Sequence, residues 1–136
     1  MSSSTSSERL RVDCSPAFAE WLAELRSDAE KNPEGARGAV YRSVVRILER
    51  FVAVPEHALD TRYRLRAPLA SVFRVKVGRL RIFYLASKPK QRAIVLAVGY
   101  RKEGDKHDAY DDFKRRIRRG EFDAQFAELG IPKPKV

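Results

Sequence analysis

The feature that most constrains the fold of this chain is the stretch of residues 73–84, which reads FRVKVGRLRIFY. Apolar and basic residues alternate on both sides of Gly78-Arg79, a pattern typical of two strands joined by a two-residue turn. Because side chains of a strand alternate between faces, one face of this hairpin is predicted to be apolar and the other basic. The predicted cross-strand pairs are Val77 with Leu80, Lys76 with Arg81, Val75 with Ile82, and Arg74 with Phe83.

The basic face of the predicted hairpin brings Lys76 and Arg81 directly opposite each other, with Phe83 nearby. Like charges that face each other across a ladder are destabilising. A chain keeps such a pair more readily when an anion neutralises it, and phosphate is the obvious candidate. We therefore expect Lys76 and Arg81 to lie on one exposed concave face that binds phosphate.

Helices are predicted on both sides of the hairpin. Ser15-Pro16 has the residues of a helix start, and residues 32–35, Asn-Pro-Glu-Gly, end that first helix. Apolar spacing predicts a second helix over residues 38–52 and a third over residues 108–119, which Gly120 ends. The first two helices are expected to form an antiparallel helical hairpin.

The remaining segments complete an α+β fold. Residues 93–98, AIVLAV, are apolar on both faces, which predicts a central strand. Residues 63–65 are read as a short strand, residues 9–12 as a short extended entry, and residues 54–60 as a loop. The order of elements predicts an N-terminal helical hairpin, an antiparallel β-sheet and a C-terminal helix.

A length of 136 residues predicts one domain, here residues 9–130. The low-complexity residues 1–8 are expected to form a disordered N-terminal tail, and residues 131–136 a C-terminal tail. The formal net charge is +10. Residues 61–136 hold 20 Lys and Arg against 8 Asp and Glu, whereas residues 1–60 hold 8 against 10. The C-terminal half therefore has the charge of a polyanion-binding surface.

Several classes of protein are disfavoured by what the sequence lacks. Cys14 is the single cysteine, so an internal disulfide or a cysteine-based metal cluster is excluded. No His/Cys spacing for a metal and no Gly-rich nucleotide loop is found, and we expect no metal and no cofactor. No signal segment or membrane-length apolar run is present, which predicts a cytoplasmic protein without a membrane partner.

The residues that could carry chemistry form a cationic set with proton-transfer groups. Arg can hold a phosphate with two hydrogen bonds, and Lys, Tyr and His can move protons. Such a set could stabilise the transition state of RNA self-cleavage, in which the 2′-hydroxyl attacks the adjacent phosphate. Composition and spacing alone favour a solvated binding surface over a catalytic centre. The candidate catalytic residues are Lys76, Arg81, Arg101, Tyr110 and His107.

A second basic set is predicted to contact the RNA backbone, which adds affinity without sequence choice. The basic run in the last helix is also explained as a solvated face with favourable placement near the helix C-terminus. The predicted RNA-binding residues are Arg74, Arg79, Lys102, Lys106, Lys114 and Arg115.

Three segments together resemble the RelE/ParE superfamily of bacterial type II toxins: residues 73–86 (FRVKVGRLRIFYLA), 94–102 (IVLAVGYRK) and 109–117 (AYDDFKRRI). Within that superfamily the chain is most similar to YhaV toxins. The features are KNPEG at residues 31–35, YRLR at residues 63–66, and the segment KHDAYDDFKRRIRRGEF. The resemblance covers roughly residues 10–130.

The resemblance implies a RelE-like fold and mRNA cleavage that inhibits translation and growth. By motif, Lys76 matches the basic residue of the first hairpin strand, Arg81 the transition-state arginine, and Arg101 the arginine of Gly-x-Arg. Tyr110 matches the late tyrosine. Extra residues separate Arg101 from Tyr110 in this chain, so His107 is an alternative to Tyr110.

The resemblance also implies partners and leaves two other functions open. A cognate antitoxin, for YhaV-like toxins an AbrB-like swapped-hairpin protein, is expected to neutralise the toxin. The other implied partners are mRNA and, if cleavage depends on it, the ribosome. The alternatives are a non-catalytic ParE-like toxin that binds DNA gyrase and a plain nucleic-acid-binding module.

Overall fold

The computed structural model describes residues 9–100 and 108–136. The predicted α+β class is confirmed, with a helix pair followed by most of the sheet and then C-terminal helices. In chain order, the elements are β1 Arg11–Cys14, α1 Pro16–Lys31, α2 Ala36–Ala53, α3 Pro55–Ala58, a 3-10 turn Thr61–Tyr63, β2 Phe73–Val77, β3 Leu80–Ser87, β4 Arg92–Tyr100, α4 Asp108–Arg118 and α5 Asp123–Leu129.

The predicted hairpin forms in the predicted register, from Phe73 opposite Tyr84 to Val77 opposite Leu80. Its turn works because Gly78 has a φ of +59°, which a two-residue turn with glycine first requires. β4 pairs antiparallel with β3 and occupies a central position, as its apolar sequence predicts.

The sheet has the order β1-β4-β3-β2 and is mixed, which corrects the prediction of an antiparallel sheet. Arg11–Cys14 pairs in parallel with the start of β4, with Arg11 opposite Arg92 and Cys14 opposite Val95. Four residues are too short to show a strand pattern by themselves. The predicted extended entry at residues 9–12 therefore becomes a paired strand only through tertiary contact with β4.

Ser15 joins the sheet to α1. Its hydroxyl accepts a hydrogen bond from the Phe18 amide, which caps the helix as predicted, and donates to the Leu96 carbonyl at 2.5 Å. A β-bulge explains the second bond, since Tyr84 pairs with Val95 and Phe83 with Ala97, which leaves Leu96 as the extra residue. The buried Ser15 hydroxyl thus satisfies a carbonyl that the bulge removes from the ladder.

The two faces of the sheet bury separate cores. The face with Ile82 and Tyr84 packs on α1 and α2. The opposite face, with Phe83 and Leu85, packs on α4 and α5. Phe83 is fully covered, and its ring stacks on Phe113 of α4 with centroids 4.2 Å apart. The hairpin face predicted to be open is therefore covered by C-terminal helices around Phe83.

The first turn of α4 lies directly on β4. A Cβ atom placed on Gly99 would come within 2.9 Å of the Ala109 Cβ atom. Real Cβ atoms essentially never approach that closely, so this contact depends on the absence of a side chain at Gly99. The glycine thus sets how close Tyr110, the next residue of α4, comes to the sheet.

The segment between α2 and β2 differs from the prediction. Residues 54–60, predicted as loop, contain the short helix Pro55–Ala58. The predicted strand at residues 63–65 is reduced to one bridge between Arg64 and Phe73, preceded by the 3-10 turn.

The predicted disordered tail, residues 1–8, lies outside the described residues. Within residues 9–100 and 108–136, no helix has the length and apolar character that a bilayer span requires.

Candidate functional site

The predicted pair of Lys76 and Arg81 is brought together, but the two side chains differ in exposure. They are cross-strand partners, and Lys76 is exposed. Arg81 is only 5% exposed, which corrects the expectation of an open guanidinium. Its Nη1 donates to the carbonyls of Gly78 (2.8 Å) and Leu80 (3.1 Å), so the arginine is held against its own turn.

An arginine of β2, the strand that also carries Lys76, faces α4. Arg74 Nη1 donates a hydrogen bond of 2.5 Å to the hydroxyl of Tyr110. The Tyr110 ring packs edge-on against Phe83, with centroids 5.6 Å apart, and this contact fixes the direction of the hydroxyl. Arg74 Nε is buried and has no hydrogen-bond partner within the described residues. An unpaired buried N–H is costly, so a ligand oxygen at this position would be stabilising.

Arg74 and Tyr110 lie in a groove of about 580 Å³ at the outer edge of β2. One wall is β2 with α4, and the other is the segment of residues 62–69, which precedes β2. The groove is lined by Arg62, Arg64, Leu65, Arg66, Ala67, Pro68, Leu69, Arg74, Tyr110 and Lys114.

The groove lining contains five cationic side chains and no carboxylate. Arg62 forms an ion pair with Asp60, which does not line the groove. The hydrogen bonds from Arg62 lower the pKa of Asp60 to about 2. Within the described residues, no ion pair neutralises Arg64, Arg66, Arg74 or Lys114. The groove therefore concentrates positive charge that a polyanion can neutralise.

Two basic side chains of α4 that lie outside the groove are already neutralised by carboxylates. Arg116 makes hydrogen bonds of 2.5 to 3.1 Å to the Glu121 carboxylate, which raise the pKa of Arg116. Arg115, predicted to contact RNA, pairs with Asp112 at 3.4 Å and does not line the groove. The basic run of α4 is thus divided, with Lys114 in the groove and Arg115 on an ion-paired outer surface.

The structure brings together only part of the predicted site. Arg74, Tyr110 and Lys114 meet in the groove, whereas Lys76 and Arg81 lie two residue pairs further along the hairpin and do not line it. Arg79 is exposed in the hairpin turn. Four predicted site residues lie outside the described residues: Arg101, Lys102, Lys106 and His107.

Sequence reasoning missed three groove residues, Arg62, Arg64 and Arg66. The signal was present in the alternation of arginine with apolar or aromatic residues over residues 62–66. The sequence predicts only a short strand over residues 63–65, and residues 63–66 otherwise contribute to the family resemblance. Its position opposite α4 is a tertiary feature, because residue 64 and residue 114 are distant in the chain.

Comparison with known proteins gives a family match over most of the chain. Residues 15–131 match the family model Toxin_YhaV, described as a toxin with endonuclease activity, of a toxin–antitoxin system. This chain is also similar to a chain in the crystal structure of the toxin–antitoxin complex RelBE2 from Mycobacterium tuberculosis. The two chains share 22% sequence identity, the match covers 68% of this chain and 99% of that chain, and the TM-score is 0.41. No curated protein gives a significant match.

Proposed function

The chain belongs to the YhaV toxin family, toxins of toxin–antitoxin systems with endonuclease activity, and we propose that it is a metal-independent endoribonuclease, an mRNA interferase. RNA carries its own nucleophile, because the 2′-hydroxyl beside each phosphate can attack it. The protein then needs to supply only positioned cations and groups that move protons. Cleavage of mRNA in this way would inhibit translation and growth.

The observation that carries this proposal is the hydrogen bond from Arg74 to the Tyr110 hydroxyl inside the basic groove. Because the hydroxyl oxygen accepts from Arg74, its own hydrogen is left to be donated elsewhere. The 5′-oxygen that leaves during RNA cleavage needs a proton, and Tyr110 would donate it as general acid. The guanidinium of Arg74 and the ammonium of Lys114 would hold the non-bridging phosphate oxygens.

The remaining roles fall to residues along the hairpin from this groove. Exposed Lys76 would act as base or electrostatic partner for the 2′-hydroxyl. Arg81 would stabilise the phosphorane. To do so, its guanidinium would give up its hydrogen bonds to the carbonyls of the turn and donate to the phosphate oxygens instead. Arg101 would hold phosphate, and His107 would be the alternative proton donor to Tyr110.

Membership of a toxin–antitoxin family implies a cognate antitoxin. We propose that the antitoxin contributes an acidic segment, since a net charge of +10 attracts such a segment at long range. An AbrB-like swapped-hairpin protein is the proposed antitoxin class. The proposed substrate is mRNA, free or on the ribosome.

A non-catalytic toxin that binds DNA gyrase remains the second candidate, and a plain nucleic-acid-binding module the third. Neither requires a tyrosine hydroxyl and an unpaired arginine in one groove, which is why the endoribonuclease is favoured.

The test is incubation of purified protein with a single-stranded RNA in EDTA. We expect defined fragments that end in a 2′,3′-cyclic phosphate, because the 2′-hydroxyl displaces the 5′-oxygen. The matched substrate has a single 2′-deoxy nucleotide at the cleaved position and should stay intact. Cleavage of that substrate, or cleavage that requires added Mg²⁺, would refute the proposed chemistry.

A further inference from the structure

The segment of residues 62–69, hereafter the second wall, is held against the sheet by backbone pairing and by buried side chains. Arg64 forms a bridge with Phe73, and the Leu65 amide donates to the Val72 carbonyl at 2.9 Å. Leu69 is buried in the core beneath α4 and α5, and Leu65 packs against the same core. The arginines of the second wall are therefore carried by an anchored backbone that faces Tyr110 and Lys114 across the groove.

Arg64 and Arg66 are the arginines of the second wall that lack a carboxylate partner within the described residues, and both are exposed where an anion can bind. The Arg64 guanidinium lies over the Phe73 ring, with its central carbon 5.3 Å from the ring centroid. A guanidinium stacked on a ring keeps its N–H groups, which lie in its own plane, available to phosphate oxygens. Within the described residues, Arg66 makes no side-chain hydrogen bond or ion pair.

A single scissile phosphate does not account for this much unneutralised charge. Arg74, Tyr110 and Lys114 suffice to surround one phosphate, yet Arg64 and Arg66 line the same groove from the other side. A nucleic-acid strand carries a phosphate on every nucleotide, so a strand bound at Tyr110 would bring further phosphates to the second wall. Contacts to these phosphates would position the strand without reading its bases.

We propose that the second wall binds the phosphates that adjoin the scissile phosphate in single-stranded RNA, through Arg64 and Arg66. This inference rests on the proposed function and adds a substrate property to it. The enzyme would act on strands of several nucleotides far better than on a dinucleotide, whose single phosphate does not reach Arg64 and Arg66. The second wall would contribute substrate affinity and leave the chemical step unchanged.

The test compares the double variant Arg64→Gln, Arg66→Gln with the wild-type protein on two substrates. For a single-stranded RNA of about ten nucleotides, we expect KM to rise at least tenfold with kcat unchanged, since the lost contacts are equal in ground and transition states. For a dinucleotide, kcat/KM should not change. The matched control is Arg26→Gln, Lys31→Gln, which removes two exposed charges from α1 on the other side of the sheet.

A binding measurement separates this inference from the proposed function. A 2′-O-methyl oligonucleotide of the same length cannot be cleaved by 2′-hydroxyl attack, so its affinity reports on binding alone. Each phosphate contact in a single strand adds about 0.7 to the slope of log affinity against log salt. The double variant should therefore lower the slope by about 1.4, whether or not the wild-type protein cleaves RNA.

Three outcomes would overturn the inference. The first is an unchanged salt slope in the double variant, and the second is an equal loss of activity on the dinucleotide and the longer strand. The third is unchanged RNA affinity combined with weakened antitoxin binding, which would assign the second wall to a protein partner. Thermal unfolding checks that each variant is folded. If the double variant unfolds, the measurement is repeated with Arg66→Gln alone, which removes no hydrogen bond or ion pair within the described residues.

Discussion

The Tyr110 hydroxyl is the group on which the proposed chemistry depends most. Tyr110→Phe keeps the ring that packs on Phe83 and removes only the hydroxyl bound to Arg74. Loss of a general acid typically lowers the rate by about 10²–10⁴-fold, and we expect RNA cleavage to fall within that range. Circular dichroism and a thermal melt should match those of the wild-type protein.

Tyr84→Phe is the matched control, since the Tyr84 hydroxyl donates to the Ala58 carbonyl in the opposite core. Its removal should lower the free energy of unfolding by about 1 kcal/mol and leave the cleavage rate unchanged. If Tyr84→Phe and Tyr110→Phe lost the same activity, the effect would be structural and the role of Tyr110 would be wrong.

Arg81 combines a structural position with the proposed transition-state role. Arg81→Ala removes the hydrogen bonds to the Gly78 and Leu80 carbonyls, so we expect some loss of stability as well as of activity. A single transition-state donor contributes about a hundredfold or more in rate. Single-turnover cleavage, measured well below the melting temperature of the variant, separates the two effects. Full activity in folded Arg81→Ala would mean that Arg81 stabilises the turn and has no role in cleavage.

Among the elements, the contact of α4 with β4 sets the geometry of the site. Gly99→Ala would place a Cβ atom 2.9 Å from that of Ala109, and neither Cβ atom can turn away because its position is fixed by the backbone. We expect the first turn of α4 to move away from the sheet, which lengthens the bond from Arg74 to Tyr110 and lowers cleavage.

The second-site variant Gly99→Ala, Ala109→Gly removes the clash and should restore cleavage, although glycine near a helix start costs up to about 1 kcal/mol in stability. Persistent loss of activity in this double variant would mean that Gly99 acts in some way other than by close packing.

Ser15 connects α1 to the bulge of β4, and two substitutions separate its two roles. Ser15→Ala removes the helix cap and leaves the Leu96 carbonyl without its donor. The expected loss is about 2–4 kcal/mol, of which the cap accounts for about 1. Ser15→Asp keeps the cap acceptor, but its carboxylate cannot donate to Leu96. Chemical denaturation should show that Ser15→Asp recovers no more than the share of the cap, about 1 kcal/mol, and full recovery would mean that the carbonyl bond contributes nothing.

The sequence predicts the elements whose determinants are local. Gly78 and the alternation of residues around it determine the register of the hairpin. Ser15 determines where α1 begins, because its hydroxyl caps the helix. The parallel strand Arg11–Cys14 was missed as a strand because its partner, β4, lies about eighty residues away. The burial of Arg81 was missed for a related reason. Alternation gives the face on which a side chain lies, but it does not show that the Arg81 guanidinium folds back onto the carbonyls of its own turn.

The candidate site was predicted in part for the same physical reason. Arg74, Tyr110 and Lys114 were singled out by residue type, and the fold brings them into one groove. The second wall was not predicted as part of the site, because its arginines approach α4 only through the bridge from Arg64 to Phe73. Family motifs point to single residues, whereas the groove is a product of three segments that pack together.

The charge of the whole molecule is divided between neutralised and free regions. Residues 61–136 hold 20 Lys and Arg against 8 Asp and Glu. Within the described residues, many of these cations are paired, as Arg92 is with Asp13 and Glu128, and Arg116 with Glu121. Within the described residues, four cations of the groove have no carboxylate partner: Arg64, Arg66, Arg74 and Lys114. A polyanion that approaches the molecule is therefore directed to the groove, whether it is RNA or an acidic protein segment.

Competition for the groove predicts how the antitoxin silences the toxin. We expect the antitoxin to cover the groove and the adjacent hairpin face, so that amine modification of Lys114 and Lys76 falls in the complex. Lys31, at the end of α1 on the other side of the sheet, is the internal control and should stay reactive. Protection should disappear at high salt if charge attraction holds the segment in place, because the screening length of exposed charges falls from about 8 Å at physiological salt to about 3 Å at 1 M. Unchanged labelling of Lys76 and Lys114 in a complex that no longer cleaves RNA would mean that the antitoxin acts at another surface.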